Sequence, residues 1–240
     1  MAKEEYILKD ISIKIKQGEK LAVVGENGSG KTTFIKLLCR LYDPSEGAVF
    51  LNGIDIREYD YAEYLRFFSV VFQDFTLFSQ TIAQNVAASV NFDRALVEDR
   101  LKEAGFKERL ASLDKGIDTF LFRDFEKTGI EISGGEAQKI ALARALYKDA
   151  PIVVLDEPTA ALDPIAEVDI YQRFNQMVGD RTCVFISHRL ASCKFCDKIA
   201  VFSAGRLVQA GSHDALVDED GGKYSQLWLA QARNYEDRPF

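Results

Sequence analysis

A glycine-rich stretch near the N-terminus has the residue types and the spacing that phosphate binding requires. It reads GENGSGKT over Gly25–Thr32 and matches the pattern G-x-x-x-x-G-K-[ST]. The apolar run Leu21–Gly25 just before it is typical of a buried strand, and a helix is predicted from Lys31 to about Leu41. This strand–loop–helix context favours a phosphate-binding loop over a flexible glycine turn.

The residue types of the loop indicate what it binds. Glycines let backbone N–H groups surround phosphate oxygens, Lys31 places a charge between the β- and γ-phosphates, and Thr32 offers a hydroxyl to Mg²⁺. We therefore expect a nucleoside triphosphate with Mg²⁺. The residues expected to bind the nucleotide here are Gly25, Glu26, Asn27, Gly28, Ser29, Gly30, Lys31, Thr32 and Thr33.

Two carboxylates end a second apolar run. Pro151–Pro158 reads PIVVLDEP, a buried-strand pattern that finishes with Asp156 and Glu157. In a phosphate-loop fold the strand beside the loop delivers an acid to the Mg²⁺ shell, and Asp156 fits that role. Glu157 is then expected near the γ-phosphate, where a carboxylate can accept a proton from attacking water. Capping of the turn before Pro158 is the alternative role for these acids.

Polar side chains follow two further strand patterns. His188 comes directly after TCVFIS (Thr182–Ser187), and Gln73 ends FSVVFQ (Phe68–Gln73). Open α/β sheets bind ligands at the carboxyl ends of their strands, so we expect His188 to contact the γ-phosphate and Gln73 to reach Mg²⁺ or the attacking water. A structural histidine is the alternative for His188. We assign the other histidine, His213, to local capping.

Strand and helix patterns alternate along most of the chain, which predicts an α/β fold with a mostly parallel sheet covered on both faces. Ile11–Ile15 alternates apolar and polar residues and is expected to form a half-buried strand. Between about 81 and 149 the patterns are helical. We predict one domain over 1–240, with a core lobe of about 1–80 and 150–240 and an inserted helical lobe of about 81–149.

Composition excludes several classes of protein. The formal net charge of −7 argues against broad nucleic-acid binding, which needs a basic surface. Every apolar run is shorter than the about 20 residues that a membrane helix needs, and the first residues have no signal-peptide pattern. The four cysteines are expected to be free and reduced, since the one CxxC has no second pair.

The order and spacing of five motifs resemble one family over nearly the whole chain. The motifs are Gly25–Thr32, Gln73, ISGGE (Ile132–Glu136), VVLDEPTAALD (Val153–Asp163) and His188. Together they resemble the nucleotide-binding domain of ABC transporters. The resemblance implies an α/β fold with a P-loop NTPase core, a mostly parallel sheet, an inserted helical lobe and a small N-terminal antiparallel β part. It also implies ATP and Mg²⁺ as cofactors.

ISGGE resembles the ABC signature, usually written LSGGQ. The resemblance implies that Ser133, Gly134 and Gly135 cap the γ-phosphate of an ATP held by a second ABC ATPase domain, the two domains lying head to tail. It adds Asp163 to the nucleotide site. The physics is consistent, because a helix N-terminus made of small residues is a ready anion site. A plain N-cap role is the alternative for Ser133.

The resemblance is strongest to the exporter branch, through FQDFTLFSQTIAQNV (Phe72–Val86) and the C-terminal region. It implies an ATP hydrolase at the cytoplasmic face of the cell membrane, with Glu157, His188 and Gln73 catalytic and with Thr32, Gln73 and Asp156 at the metal. ATP hydrolysis would power export by a fused or partner transmembrane domain that docks near Gln73–Phe78 and the helical lobe. We expect Phe75 or Phe78 to be exposed there as a groove wall, and the chain to be an excised C-terminal domain or, as a second choice, a separate subunit.

This sequence departs from the family pattern at three places. The aromatic residue that usually stacks on adenine falls before Met1, and Tyr6 is out of register with it, so little preference for ATP over GTP is expected. The signature ends in Glu136 where the family has glutamine. The exporter loop before the signature reads FRDFEKTG (Phe122–Gly129), where Asp124 and Glu126 are the acids available for its contacts.

Two other classes of function compete with export. A non-transport ABC ATPase of the DNA-repair or translation-factor kind carries a long coiled-coil insertion or tandem ATPase domains, and this chain has neither. A regulatory module with a dead site conflicts with the presence of all five predicted chemical groups, Lys31, Gln73, Asp156, Glu157 and His188.

Overall fold

The computed structural model describes residues 6–157 and 177–236. The strands in this part are β1 (Lys20–Gly25), β2 (Phe50–Leu51), β3 (Ile54–Asp55), β4 (Phe68–Val71), β5 (Ile152–Asp156), β6 (Thr182–Ile186), β7 (Lys198–Ser203) and β8 (Arg206–Gly211). The α-helices are α1 (Lys31–Leu38), α2 (Tyr61–Arg66), α3 (Ile82–Ala87), α4 (Arg94–Glu103), α5 (Lys107–Ala111), α6 (Gly134–Lys148), α7 (His213–Val217) and α8 (Lys223–Glu236).

Six of the strands form one sheet in the order β4-β5-β6-β1-β7-β8. The strand before the phosphate loop, β1, runs parallel to β6 and β7, and β8 closes the edge antiparallel to β7. The residues Leu21–Val24 are fully buried, as expected for a strand that is apolar on both faces. A two-stranded antiparallel sheet, β2–β3, completes the predicted α/β fold with a mostly parallel sheet.

The sheet order corrects one expectation about the site. The strand beside β1 is β6, which precedes His188, and the acid-bearing strand β5 lies one position further out. The carboxyl ends of these parallel strands still meet at one edge, so the acids and the histidine converge there in a different order.

Ile11–Ile15 is not a strand, although its alternating pattern predicts one. The isoleucines at 11, 13 and 15 are half-buried and the residues between them are exposed, so the alternation describes burial correctly. Within the described residues this segment pairs with no β-strand. An extended segment without a hydrogen-bonded neighbour is not part of a sheet. The amphipathic pattern PIAEVDIYQRFNQMV over 164–178 predicts a helix, and most of it lies outside the described residues.

Side chains cap the starts of several helices. Asp60, Asp93 and Ser212 each accept a hydrogen bond from the backbone N–H three residues further on, at the starts of α2, α4 and α7. Helix α1 differs, because its N-cap is Gly30, which has no side chain to bond to the first N–H groups. The first turn of α1 therefore keeps its backbone donors available for a ligand.

The chain divides into two compact units. The described residues of the first are 6–68, 154–157 and 180–236, and those of the second are 69–153 and 177–179. The predicted lobe boundaries at about 80 and 150 stay a prediction. No helix among residues 6–157 and 177–236 is long and apolar enough to span a bilayer.

Candidate functional site

The phosphate loop lies in the first unit and has a backbone shape that requires glycine. Gly25 has a φ of 148°, and a Cβ there would lie 2.2 Å from the carbonyl oxygen of Phe202. Gly30 has a φ of 101°, and a Cβ would lie 2.4 Å from Leu8 Cδ2. Larger residues at either position would force the loop out of this shape. The loop between β1 and α1 is therefore a preformed cradle.

Ser29 and Lys31 supply polar atoms inside this cradle. The hydroxyl of Ser29 is buried and has no hydrogen-bond partner in the described part of the chain. Lys31 is also buried, and its Nζ donates to the carbonyl oxygens of Gly25 at 2.9 Å and Glu26 at 3.0 Å. The ammonium is thus held over the loop, where phosphate oxygens can replace the carbonyl acceptors.

The charge of Lys31 is balanced from the carboxyl edge of the sheet. Burial lowers the pKa of Lys31, and the nearby carboxylates of Glu157 and Asp156 oppose that shift. A desolvated ammonium gains more from an incoming phosphate than a solvated one would. The electrostatics of the cradle therefore favour an anion at this position.

Asp156 and Glu157 lie at the end of β5, as the sequence predicts. Asp156 is 1% exposed, and Glu157 is held in the left-handed region with a φ of 52°. The backbone N–H of Glu157 donates to the carbonyl oxygen of Ile186 at 3.2 Å, which fixes the end of β5 against β6. Backbone strain in a non-glycine residue is tolerated where the surroundings impose it, and such residues cluster at functional sites.

His188 contacts Glu157 directly. Nε2 of His188 lies 2.5 Å from Oε1 of Glu157, and both side chains retain access to solvent at 39% and 14%. An imidazole at this distance orients the carboxylate and can share a proton with it. The sequence predicts that both residues lie at the site, and the structure brings them together in the first unit.

Three contacts in the first unit were not predicted. Lys223, the first residue of α8, places Nζ 2.6 Å from Oε1 of Glu26 and holds the pKa of that carboxyl below its usual range. Gln231, also on α8, bonds to the backbone on both sides of Arg189. No local sequence pattern marks a surface lysine or glutamine as the partner of a distant loop.

The signature residues begin helix α6 in the second unit. Ser133 is the N-cap, and it forms a capping box with Glu136: its hydroxyl accepts from the Glu136 N–H at 3.2 Å, and its own N–H donates to the Glu136 carboxylate at 2.8 Å. Ser133 and Gly134 are exposed, and Gly135 is half-buried. The N-cap alternative is therefore real, and the helix start also remains open to solvent.

Glu136, the departure from the family pattern, has a second partner. Its Oε1 lies 2.9 Å from Nε of Arg109, on α5. One oxygen of the Glu136 carboxylate is thus paired with Arg109, and the other accepts the hydrogen bond from the N–H of Ser133 at the helix start. Arg109 has no motif around it that would have identified this pairing.

Gln73 is exposed in the second unit, two residues beyond the end of β4. In the segment after it, Phe78 is 58% exposed, Leu77 is 8% exposed and Phe75 is intermediate, so one of the two rings expected to be open to solvent is open. Asn85 fixes this segment, because its side chain accepts from the Phe78 N–H at 2.8 Å and donates to the Phe78 carbonyl at 2.9 Å.

A groove of about 210 Å³ lies beside Phe78. Its lining is Phe78, Gln80, Gln84, Asn85, Ala88 and Arg144. The guanidinium of Arg144 lies 5.9 Å from the centre of the Phe78 ring and donates to the carbonyl oxygens of Thr76 and Asn85. Burial lowers the pKa of Arg144. The result is a rigid groove with an aromatic wall and a cationic floor.

The loop Phe122–Gly129 also lies in the second unit. Asp124 accepts a hydrogen bond from the hydroxyl of Ser79, and Glu126 accepts from Thr128. Phe125 between them is 87% exposed. Both acids of this loop, Asp124 and Glu126, therefore stabilise its conformation through hydrogen bonds.

Several other expectations have clear outcomes. His213 is not a cap, since Ser212 caps α7 and the imidazole of His213 contacts the hydroxyl of Tyr224 at 2.8 Å and the ring of Trp228. Tyr6 donates its hydroxyl to Glu46 at 2.7 Å. The four cysteines are free, and Asp163 lies outside the described residues.

Comparison with known proteins identifies the family. The sequence model described as "ABC transporter" matches residues 8–160. An ATP-dependent lipid A-core flippase of Burkholderia orbicola (strain AU 1054) is 40% identical over 230 residues, which cover 96% of this chain and 38% of the flippase. The mitochondrial iron-sulfur clusters transporter ABCB7 of Oryzias latipes is 37% identical over 228 residues, which cover 95% of this chain and 30% of that protein.

A solved structure gives the same result. A bacterial Atm1-family ABC exporter with ATP bound matches with a TM-score of 0.88 and 36% identity, over 96% of this chain and 40% of the exporter chain. The chain therefore belongs to the ABC transporter family, and its fold and phosphate loop are those of an ATP-binding, exporter-type nucleotide-binding domain. It spans about two fifths of the length of these relatives. The comparisons do not favour the non-transport alternative.

Proposed function

We propose that this chain binds and hydrolyses Mg-ATP and that hydrolysis powers export of a substrate across a membrane. The observation that carries the proposal is the Glu157–His188 contact beside the Lys31 cradle in one compact unit. A cradle alone binds phosphate, whereas a carboxylate oriented by an imidazole at the same sheet edge can also activate water.

The chain's own groups account for nucleotide binding. The uncapped start of α1 offers backbone N–H groups to the phosphates, and Ser29 and Lys31 add a buried hydroxyl and a buried ammonium. Thr32 and Thr33 follow on the first turn of the helix. When nucleotide binds, the β- and γ-phosphate oxygens replace the carbonyl oxygens of Gly25 and Glu26 as hydrogen-bond acceptors of the Lys31 ammonium.

The residues present fit Mg²⁺. Asp156 is a buried carboxylate at the sheet edge, and the hydroxyl of Thr32 and the amide of Gln73 are further oxygen donors. No group of three or more His, Cys, Asp or Glu residues that could hold a metal occurs in the described part of the chain, which suits an ion held mostly by phosphates and water. When bound, Mg²⁺ supplies positive charge that stabilises the phosphate oxygens during transfer.

Glu157 is the general base in this proposal. Its carboxylate accepts a proton from the attacking water, and His188 holds the carboxylate in orientation and can contact the γ-phosphate. The left-handed backbone of Glu157 and the hydrogen bond from its N–H to the carbonyl oxygen of Ile186 hold the carboxylate in place, so that no rearrangement is needed during the reaction. Gln73 joins this site by contacting Mg²⁺ or the water.

The complete site forms between two ATPase domains, which are two copies of this chain or this chain and a homologous partner. Each contributes the exposed start of α6, with Ser133, Gly134 and Gly135, to the γ-phosphate bound by the other. The open helix N-terminus supports this role, because its dipole and N–H groups favour an anion. Asp163 is assigned to the same composite site.

The transmembrane part docks in the groove beside Phe78. An exposed aromatic ring next to a half-buried guanidinium, on a backbone held by the Asn85 side chain, is a typical interaction site. Docking there links the membrane part to Gln73, five residues away in the chain. The chain then works at the cytoplasmic face of the membrane, and the relatives named as a flippase and as transporters support export as the purpose.

Phosphate release measured on the purified chain tests the hydrolytic step. We expect Mg²⁺-dependent turnover that disappears on chelation and in Lys31→Ala. Lys36→Ala is the matched control, because it removes an ammonium from the last turn of the same helix, where Nζ lies 6.0 Å from the centre of the Tyr42 ring. Turnover that is equal in Lys31→Ala and wild type would contradict the proposed site.

A further inference from the structure

The C-terminal helix α8 is bonded to the loop that carries His188. The side-chain amide of Gln231 donates to the backbone carbonyl of His188, and its oxygen accepts from the backbone N–H of Leu190 at 2.9 Å. One amide therefore holds the backbone on both sides of Arg189. Both bonds require the donor and the acceptor of an amide, which an aliphatic or acidic side chain cannot supply together.

The same helix also touches the phosphate loop. Lys223, at the start of α8, is paired with Glu26 at 2.6 Å. Gln231 lies eight residues later, which is about 12 Å along an α-helix. A single helix thus contacts both the phosphate loop and the loop of His188.

The hydrogen bonds of the described residues hold the loop of His188 at two places. The hydroxyls of Ser187 and Ser192 bond to each other and to the backbone of Arg189. These bonds fix the turn after His188, whereas the carbonyl of His188 itself is bound by Gln231. The direction of the imidazole depends on that backbone, and the imidazole lies 2.5 Å from Glu157.

We infer that Gln231 is a positioning residue for His188, and that helix α8 thereby holds the histidine at the distance from Glu157 that hydrolysis needs. This inference rests on the proposed function. Gln231 does not contact the nucleotide in this account; it acts through the backbone of His188. Detachment of α8 would release the histidine and slow hydrolysis while the phosphate cradle stays able to bind ATP.

The kinetic test is Gln231→Met, which keeps the side-chain length and removes both hydrogen bonds. Gln226→Met is the matched control, since the Gln226 side chain is exposed on the same helix and, within the described part of the chain, donates only to the carbonyl oxygen of Gly221 just before the helix. We expect Gln231→Met to lower kcat by about tenfold with KM for ATP changed by less than about twofold, the size of one or two lost positioning bonds. Gln226→Met should match wild type.

A second arm separates positioning from loss of stability. In a His188→Ala background, Gln231→Met should cause no further loss of kcat, because the group it positions is gone. An equal loss in both backgrounds would show that Gln231 acts on the fold in general, and the inference would be overturned.

The third arm needs no activity. The chain has two histidines, and His213 packs against Tyr224 and Trp228 of α8, so its ring reports whether α8 is still docked. In ¹H–¹³C NMR spectra of ring-labelled protein, Gln231→Met should move the His188 cross-peak and leave that of His213 in place. Unchanged spectra, or equal movement of both peaks, would overturn the inference. A wild type without turnover would instead overturn the proposed function, and these spectra would still decide the role of Gln231.

Discussion

Oε1 of Glu157 lies 2.5 Å from Nε2 of His188, and this contact joins the ends of β5 and β6. The backbone of Glu157 is in the left-handed region. His188 follows β6, which pairs in parallel with β1, the strand that leads into the phosphate loop. In the proposed mechanism the pair unites a base and its orienting group in the same compact unit as the Lys31 cradle. This pair is therefore the proposed chemical centre for ATP hydrolysis.

Replacement of His188 tests the orienting role. His188→Ala should leave ATP affinity near that of wild type and lower kcat by about 10- to 100-fold, since the carboxylate loses its fixed direction. Steady-state kinetics with a nucleotide-binding titration distinguishes the two effects. His213 is half-buried and packs against Tyr224 and Trp228 of α8, so His213→Phe, which keeps an aromatic ring there, serves as the control. A kcat within twofold of wild type in His188→Ala would remove the histidine from the mechanism.

If Lys31 binds phosphate, its replacement should remove the stabilisation of the protein by ATP and leave the stability of the nucleotide-free protein nearly unchanged. Lys31→Met should lose nearly all stabilisation by ATP, which for wild type at a hundredfold excess over Kd is about 2.7 kcal/mol. The melting temperature without nucleotide should change little, because Met removes a desolvated charge along with two hydrogen bonds. Thermal unfolding with and without ATP measures both quantities. Persistent ATP stabilisation in the variant would contradict the cradle.

The same lysine gives a pH dependence with a definite sign. Burial lowers the folded-state pKa of Lys31 below its ordinary value of 10.5, so just below that value the unfolded chain binds more protons than the folded one. The contribution of Lys31 to stability therefore rises with pH through this window and is least favourable below it. Denaturant unfolding at several alkaline pH values should show a steeper rise in wild type than in Lys31→Met. Parallel pH curves would contradict the burial of a charged lysine.

The ion pair between Arg109 and Glu136 explains how the signature can end in glutamate where the family has glutamine. Arg109→Ala should raise the ATP concentration needed for half-maximal turnover by about two- to fivefold, because it leaves the Glu136 carboxylate unbalanced at the helix start that is proposed to face phosphate. In the Glu136→Gln background the same change should be silent. The four proteins form a double-mutant cycle read by steady-state kinetics. Additive effects would mean that the pair does not support the signature.

The groove beside Phe78 predicts a contrast between adjacent residues. Phe78→Glu should unfold at nearly the same denaturant concentration as wild type, within about 0.5 kcal/mol, and keep the ATPase rate of the isolated chain. Leu77→Glu, which places a charge at a buried position, should be strongly destabilised. In the full-length protein Phe78→Glu should uncouple ATP hydrolysis from transport. Loss of folding in Phe78→Glu would show that the ring belongs to the core.

The elements that hold the nucleotide were predictable because their signals are local. The phosphate loop needs glycine at defined backbone positions, and apolar runs on both faces predict β1, β5 and β6, so motif and structure agree over these residues. The acids and the histidine at the strand ends follow from the same logic. The strand pattern predicts Glu157 and His188 at one edge of the sheet, and the two side chains lie 2.5 Å apart; their role at the nucleotide stays a prediction.

Tertiary partners were not predictable. Ile11–Ile15 has the alternation of a strand, but a strand also needs a neighbour, which no local pattern supplies. Arg109 and Gln231 look like ordinary helix residues in the sequence, and each is given a role only by residues distant along the chain. The position of His213 before a short helix predicts a cap, but its aromatic partners lie on another helix, which no local pattern shows.

The central claim is that ATP is hydrolysed by Glu157 in a site completed by Ser133 of a second ATPase domain. Glu157→Gln should keep ATP affinity, lose about 10²- to 10⁴-fold of turnover, and therefore accumulate an ATP-bound dimer. Light scattering after size-exclusion chromatography in Mg-ATP measures this directly. We predict twice the mass of one chain for Glu157→Gln and a monomer for the double variant Glu157→Gln with Ser133→Arg. A Glu157→Gln protein that stays monomeric in saturating Mg-ATP, or that turns over ATP at the wild-type rate, would contradict the account.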